Sequence, residues 1–191
     1  MRKICIIILL LATIFSISEA NPDSRSRNVV IWDQTQESQG SGVILDGSIL
    51  TAQHVVGDST FVYVRYFNSD KLEIEMVKKT DKELDLALLS CNRPGVVFSR
   101  IANSGPVVGD NVYTIGSGCS HPFSLKYGNI SNTTDTHYLV DLSVYPGDSG
   151  APLYNNNDEV VGVIQAVDVV WSSPGQAYAR KLEDVRRFLY E

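Results

Sequence analysis

Leu72-Glu73-Ile74-Glu75-Met76 alternates apolar and acidic side chains at every step. That period of two belongs to a β-strand, not to a helix. On the N-terminal side, Val29 to Trp32, Ser41 to Leu45 and Thr60 to Phe67 are short and rich in β-branched or aromatic residues. Leu84 to Ser90 follows in the same style, and turn-forming residues stand between the runs at Gly40, Asp46-Gly47, Gly57-Asp58 and Asn68-Ser69-Asp70. A Pro/Gly/Ser-rich stretch from Arg93 to Gly105 then divides the chain. A second strand series is expected at Asn111 to Ile115, Phe123 to Tyr127, His137 to Leu142 and Val160 to Val167. The period changes only at the end, where Leu182, Val185, Phe188 and Leu189 recur at helical spacing between Lys181 and Tyr190. Many short strands, a central linker and one terminal helix predict an all-β fold of two antiparallel barrels packed side by side. The halves are expected at about 28–92 and 106–180, with the helix over 181–190.

The first twenty residues read differently. Arg2 and Lys3 precede an apolar run from Ile4 to Phe15, and Ser18-Glu19-Ala20 closes the segment with small residues. This is the order of a cleaved secretory signal, with cleavage expected after Ala20. The run falls short of the ~20 apolar residues of a membrane-spanning helix, so stable membrane insertion is not expected. The domain proper is then 21–191, in a secreted or periplasmic protein. The whole chain has 16 basic and 22 acidic residues, a net charge of −6. No Lys/Arg cluster stands out, which argues against nucleic acid as a partner. Beyond Cys5, the remaining cysteines are Cys91 and Cys119. In an oxidising compartment they can be a disulfide or two buried thiols, and spacing does not decide between these. No metal-ligand spacing accompanies them, so neither metal nor cofactor is expected.

Three segments carry chemistry. In Pro146-Gly147-Asp148-Ser149-Gly150-Ala151-Pro152-Leu153, glycines bracket a serine at the entrance to an apolar strand. Such a loop can present a hydroxyl while turning the Gly147 and Ser149 amides toward an oxygen that becomes negative. In Ile49-Leu50-Thr51-Ala52-Gln53-His54, a histidine directly follows a strand, and a neutral imidazole can take the serine's proton. In Leu84-Asp85-Leu86-Ala87-Leu88, one carboxylate sits in an apolar run. Burying it unpaired is costly, and an imidazole is a suitable partner. His121 and His137 lack such a context and are expected to be structural or surface residues.

Thr51-Ala52-x-His54, Asp85-Leu86-Ala87-Leu88 and Gly147-Asp148-Ser149-Gly150-x-Pro152-Leu153 resemble, in that order, the signature segments of the trypsin/chymotrypsin superfamily of serine proteases. Gly40-Ser41-Gly42-Val43-Ile44, Val108-Gly109-Asp110 and Gly128-Asn129-Ile130-Ser131 look closer to its compact Deg/HtrA-like branch, without an appended peptide-binding domain. The resemblance implies a six-stranded double barrel and an endopeptidase acting on protein or peptide substrates through an acyl-enzyme. His54, Asp85 and Ser149 would form the triad, and the Gly147 and Ser149 amides the oxyanion hole. It also implies that Gln165-Ala166-Val167 pairs with an extended substrate. Ser143 would lie at the base of the specificity pocket and Gly175 at its mouth, with a neutral, small-to-medium apolar preference. Related zymogens pair a new amino terminus with the acid before the serine, here Asp148. The chain has no convincing cleavage site for that, so the partner of Asp148 is open. A non-catalytic or chaperone-like peptide-binding module on the same fold is the competing expectation.

Overall fold

The computed structural model describes residues 23–165 and 176–191. Six strands form the first barrel: β1 (Asn28–Trp32), β2 (Gln39–Leu45), β3 (Ser48–Thr51), β4 (Phe61–Tyr66), β5 (Leu72–Asp81) and β6 (Leu86–Ser90). They close antiparallel in the order β1-β2-β3-β6-β5-β4. Alternation is plain in β4, where Val62, Val64 and Tyr66 point inward against Ile31, Ile44, Ile49 and Leu89. A single helical turn, α1 (Gln53–Val56), follows β3 and buries Val55 and Val56 in the same core.

β5 is a strand as its alternation predicts, but with the unusual phase. Leu72, Ile74 and Met76 face solvent, at 45%, 57% and 51% exposure, while Glu75 is buried. Hydrogen bonds explain the inversion. The Glu75 carboxylate accepts from Tyr66 Oη (2.8 Å), Ser90 Oγ (2.5 Å), and both the backbone N–H (3.1 Å) and Nδ2 (2.9 Å) of Asn92. Four donors offset the desolvation that would otherwise exclude the charge.

The second half contains β7 (Arg100–Ile101), β8 (Asn111–Gly116), β9 (Ser124–Thr133), β10 (His137–Asp141), β11 (Pro152–Tyr154), β12 (Glu159–Gln165) and β13 (Gln176–Lys181). Strands β11-β8-β9-β10-β13-β12 close into a barrel through the β11–β12 pairing, and β7 runs parallel along β12. β9 is longer than expected because it continues through Gly128. A Cβ there would stand 2.3 Å from the Asp141 carbonyl oxygen of β10, so only glycine lets the strands approach so closely. The terminal helix α2 (Leu182–Tyr190) packs Leu182, Val185 and Phe188 inward, the helical stripe read from the sequence.

A shared apolar cluster joins the barrels: Val43, Leu50 and Leu86 from the first meet Tyr113, Tyr154 and Val163 from the second. Tyr154 is fully buried, stacked on Tyr113 at 4.9 Å between centroids, with its hydroxyl 2.9 Å from Ser99 Oγ.

Cys91 and Cys119 are free thiols. Cys91 is half-buried with its Sγ 3.6 Å from Tyr66 Oη, and burial pushes the thiol above its ordinary pKa. Cys119 is exposed. A thiol-specific reagent added to the native protein is therefore expected to modify Cys119 rapidly and spare Cys91 until unfolding, as read by peptide mapping.

Candidate active site

His54 and Asp85 meet although 31 positions separate them. α1 sets the imidazole at the end of β3, and the turn between β5 and β6 sets the carboxylate. His54 Nδ1 lies 2.8 Å from Asp85 Oδ2 and 3.0 Å from Oδ1, and the His54 backbone N–H donates to Oδ1 at 2.9 Å. A carboxylate only accepts, so the neutral ring carries its proton on Nδ1 and leaves Nε2 as an acceptor.

The turn that delivers Asp85 is strained and held from several sides. Asp85 has φ +52°, a left-handed conformation that a side chain adopts at a cost. Asp81 Oδ1 accepts from the N–H groups of Glu83 and Leu84, both at 2.9 Å. From the second barrel, Gln165 Nε2 donates to the carbonyls of Leu84 (2.7 Å) and Asp85 (3.1 Å). Gln165 Oε1 in turn accepts from His137 Nε2 at 2.7 Å, and burial lowers the pKa of His137. His137 thus has a structural setting, whereas His121 is exposed.

Ser149 lies on the loop between β10 and β11 and is 6% exposed. Strand β2 clamps that loop: Ser41 N–H donates to the Ser149 carbonyl and Ser41 Oγ to the Gly147 carbonyl, each at 2.7 Å. The carbonyls of Pro146 and Asp148 accept from Cys119 N–H (3.1 Å) and Ala151 N–H (3.0 Å). With these four carbonyls engaged, the Gly147 and Ser149 N–H groups have no acceptor among the described residues. Among the same residues, Ser149 Oγ makes no hydrogen bond to His54, a contact that in unliganded sites often tightens only around substrate.

The glycines here answer to space. Gly147 (φ +102°) and Gly150 (φ +83°) occupy backbone that side chains avoid. A Cβ on Gly150 would stand 2.2 Å from both the Ser41 carbonyl oxygen and Thr51 Oγ1. Gly150→Ala is expected to destabilise the protein by about 3 kcal/mol and to lower Tm by roughly 6–12 °C. Gly47 (φ +69°) has open space around its Cβ position, so Gly47→Ala should cost only about 1 kcal/mol. Parallel thermal melts check the contrast.

His54 and Ser149 line one cavity of about 230 Å³, with Val55, Val144, Tyr145 and Ile164 as its apolar walls. Wider depressions around Phe98 and Arg100, about 530 and 650 Å³, contain neither histidine nor the glycine-bracketed serine. Ser143, expected at a pocket base, is exposed beyond the end of β10, and Val144 lines the cavity instead. Ala166, Val167 and Gly175 lie outside the described residues, as does the expected signal segment.

The family of trypsin-like peptidase domains matches residues 40–163. The chain belongs to the trypsin-like peptidase family. It is 34% identical over 154 residues to a probable periplasmic serine endoprotease DegP-like protein of Ectopseudomonas mendocina, covering 75% of this chain and 31% of that relative. A similarly named protein of Pseudomonas putida is 35% identical over 144 residues, covering 69% of this chain and 30% of its own length. The chain thus spans about a third of these relatives. Among solved structures, a serine endoprotease from Yersinia pestis superposes with a TM-score of 0.78 at 25% identity, covering 86% of this chain and 62% of that one. The active form of the Rv3671c protease from M. tuberculosis gives the same TM-score at 20% identity, covering 87% and 80%, a likeness of fold.

For this trypsin-like peptidase domain, two groups of residues at the site escaped sequence reasoning. Ser41 and Thr51 fasten the serine loop to the first barrel, with Thr51 Oγ1 donating to the Ser41 carbonyl at 2.7 Å. Gly40-Ser41-Gly42 was legible as a motif, but its task of approaching a loop over a hundred positions away was not. Lys126, which forms an ion pair with the buried Asp148, carried no local signal at all.

Proposed function

We propose that this chain is an exported serine endopeptidase that hydrolyses peptide bonds through an acyl-enzyme. His54 Nε2 takes the proton of Ser149 as Oγ forms a bond to the scissile carbonyl carbon, and the carbonyl oxygen becomes an oxyanion. The Gly147 and Ser149 N–H groups stabilise that oxyanion. His54 then gives its proton to the leaving amine as the C–N bond breaks, and a water repeats the sequence to release the acid. Asp85 holds the ring with Nδ1 protonated and stabilises the imidazolium. The apolar walls at Val55, Val144 and Ile164 favour a neutral, small-to-medium apolar side chain in the cavity. Export rests on the basic-apolar-small order of residues 1–20 and on the periplasmic names of the relatives. Among the described residues no helix is long and apolar enough to cross a membrane.

The observation that carries the reading is the 2.8 Å contact of His54 with Asp85 beside a cavity that also contains Ser149. The test is to treat the purified protein with a fluorophosphonate and map the adduct by mass spectrometry. Modification confined to Ser149 is expected. A folded protein that stays unmodified, or reacts elsewhere, would overturn the reading in favour of a peptide-binding module.

A further inference from the structure

Asp148 is fully buried directly before Ser149, and its carboxylate fastens both sides of the loop. Oδ1 accepts from Gly118 N–H at 2.9 Å and Oδ2 from Tyr145 N–H at 2.8 Å. Lys126, reaching in from β9, forms an ion pair with Oδ2. Its side chain is 18% exposed, and Nζ stands 5.4 Å from the centre of the Tyr145 ring. The chamber is shaped for this pair. A Cβ on Gly116 would come within 2.3 Å of Asp148 Oδ1, and one on Gly118 within 2.5 Å of Oδ2. Lys126 is the one cation paired with Asp148 among the described residues. The segment ahead of β1 is engaged elsewhere: Arg27 with Asp158 at 3.3 Å, and Arg25 over the Phe67 ring at 4.7 Å.

We propose that Lys126 is the positioning residue that orders the Tyr145–Ser149 loop, acting through Asp148 and in place of any freed amino terminus. The inference rests on the serine-endopeptidase reading of this site. Without Lys126 the fully buried Asp148 carboxylate keeps only the Gly118 and Tyr145 N–H donors, against the four that hold buried Glu75, and so it must protonate or turn out to solvent. Turning out releases the Tyr145 and Gly118 N–H groups, and with them the turn that presents the Gly147 and Ser149 amides. Lys126 touches no reacting atom, so its loss acts on the rate of acylation and not on folding alone.

The experiment compares wild type, Lys126→Met, Lys126→Arg and the double variant Lys126→Met/Asp148→Asn. Each is measured for fluorophosphonate labelling rate at Ser149, thermal melt and amide hydrogen exchange. Lys126→Met is expected to slow labelling by about 10²-fold, the loss typical of a missing oxyanion donor, while still melting cooperatively. Lys126→Arg should retain most of the rate. The double variant should recover at least about tenfold, because a neutral amide buries no unpaired charge and its one oxygen still accepts from one of the two N–H groups. Labelling of Lys126→Met within about threefold of wild type, or no recovery in the double variant, overturns the inference. So does a wild type that labels only after the residues preceding Asn28 are removed. If wild type does not label, the endopeptidase reading falls. Exchange then decides separately: faster exchange at Gly118 and Tyr145 in Lys126→Met supports the lock, and unchanged protection sinks it.

Discussion

Replacing Ser149 by alanine is expected to lower kcat for peptide hydrolysis by about 10⁶-fold, and His54→Ala by a similar factor. The double variant should be scarcely worse than either single one. The two groups act as a unit: without the hydroxyl there is nothing for the imidazole to deprotonate, and without the imidazole the hydroxyl is a poor nucleophile at neutral pH. Residual turnover should remain above the uncatalysed rate, because the cavity and the Gly147 and Ser149 amides are untouched by either change. KM should move little. The check is a set of kcat and KM values for the three variants on one peptide drawn from a library screen. Strictly multiplicative losses, or full activity in Ser149→Ala, would contradict the assignment of a shared acyl-transfer step.

Asp85→Asn should lower kcat by about 10⁴-fold with little change in structure. The carboxylate accepts from both the backbone N–H and Nδ1 of His54. An asparagine that turns its amide nitrogen to the ring places a donor against Nδ1, so Nε2 takes the proton and can no longer accept one from Ser149. The stability cost should be small, since the strained φ of Asp85 suits asparagine as well as aspartate. Gln165 grips the turn through the Leu84 and Asp85 backbone carbonyls, which the substitution leaves in place. The loss should diminish at alkaline pH, where hydroxide substitutes for the base. A pH–rate profile of the variant, beside its thermal melt, separates a wrong tautomer from a damaged fold. A parallel loss of Tm and activity would mean that Asp85 serves the turn and not the imidazole.

Much of the architecture was legible because it depends on each segment's own periodicity. Val62, Val64 and Tyr66 alternate inward, and Leu182, Val185 and Phe188 share one helix face, as their spacing requires. Other features depend on partners that the sequence does not mark. Alternation reveals that Leu72–Met76 is a strand but not which face is wet, and four hydrogen-bond donors to Glu75 reverse the usual answer. Ser143, which the family resemblance places at a pocket base, is exposed beyond the end of β10, while its neighbour Val144 lines the cavity; local sequence does not mark which of two adjacent residues a loop turns inward.

By itself the sequence determined the strand-rich class, the terminal helix, the two-part division and the three segments that bear His54, Asp85 and Ser149. Each is a matter of residue type and local period, which short stretches of chain carry on their own. Only the tertiary structure decided that Ser41 clamps the serine loop, that Gln165 bridges to the Asp85 turn, and that Lys126 neutralises Asp148. A buried charge or polar group must find a partner wherever barrel closure places one, and that place is set by the packing of distant strands.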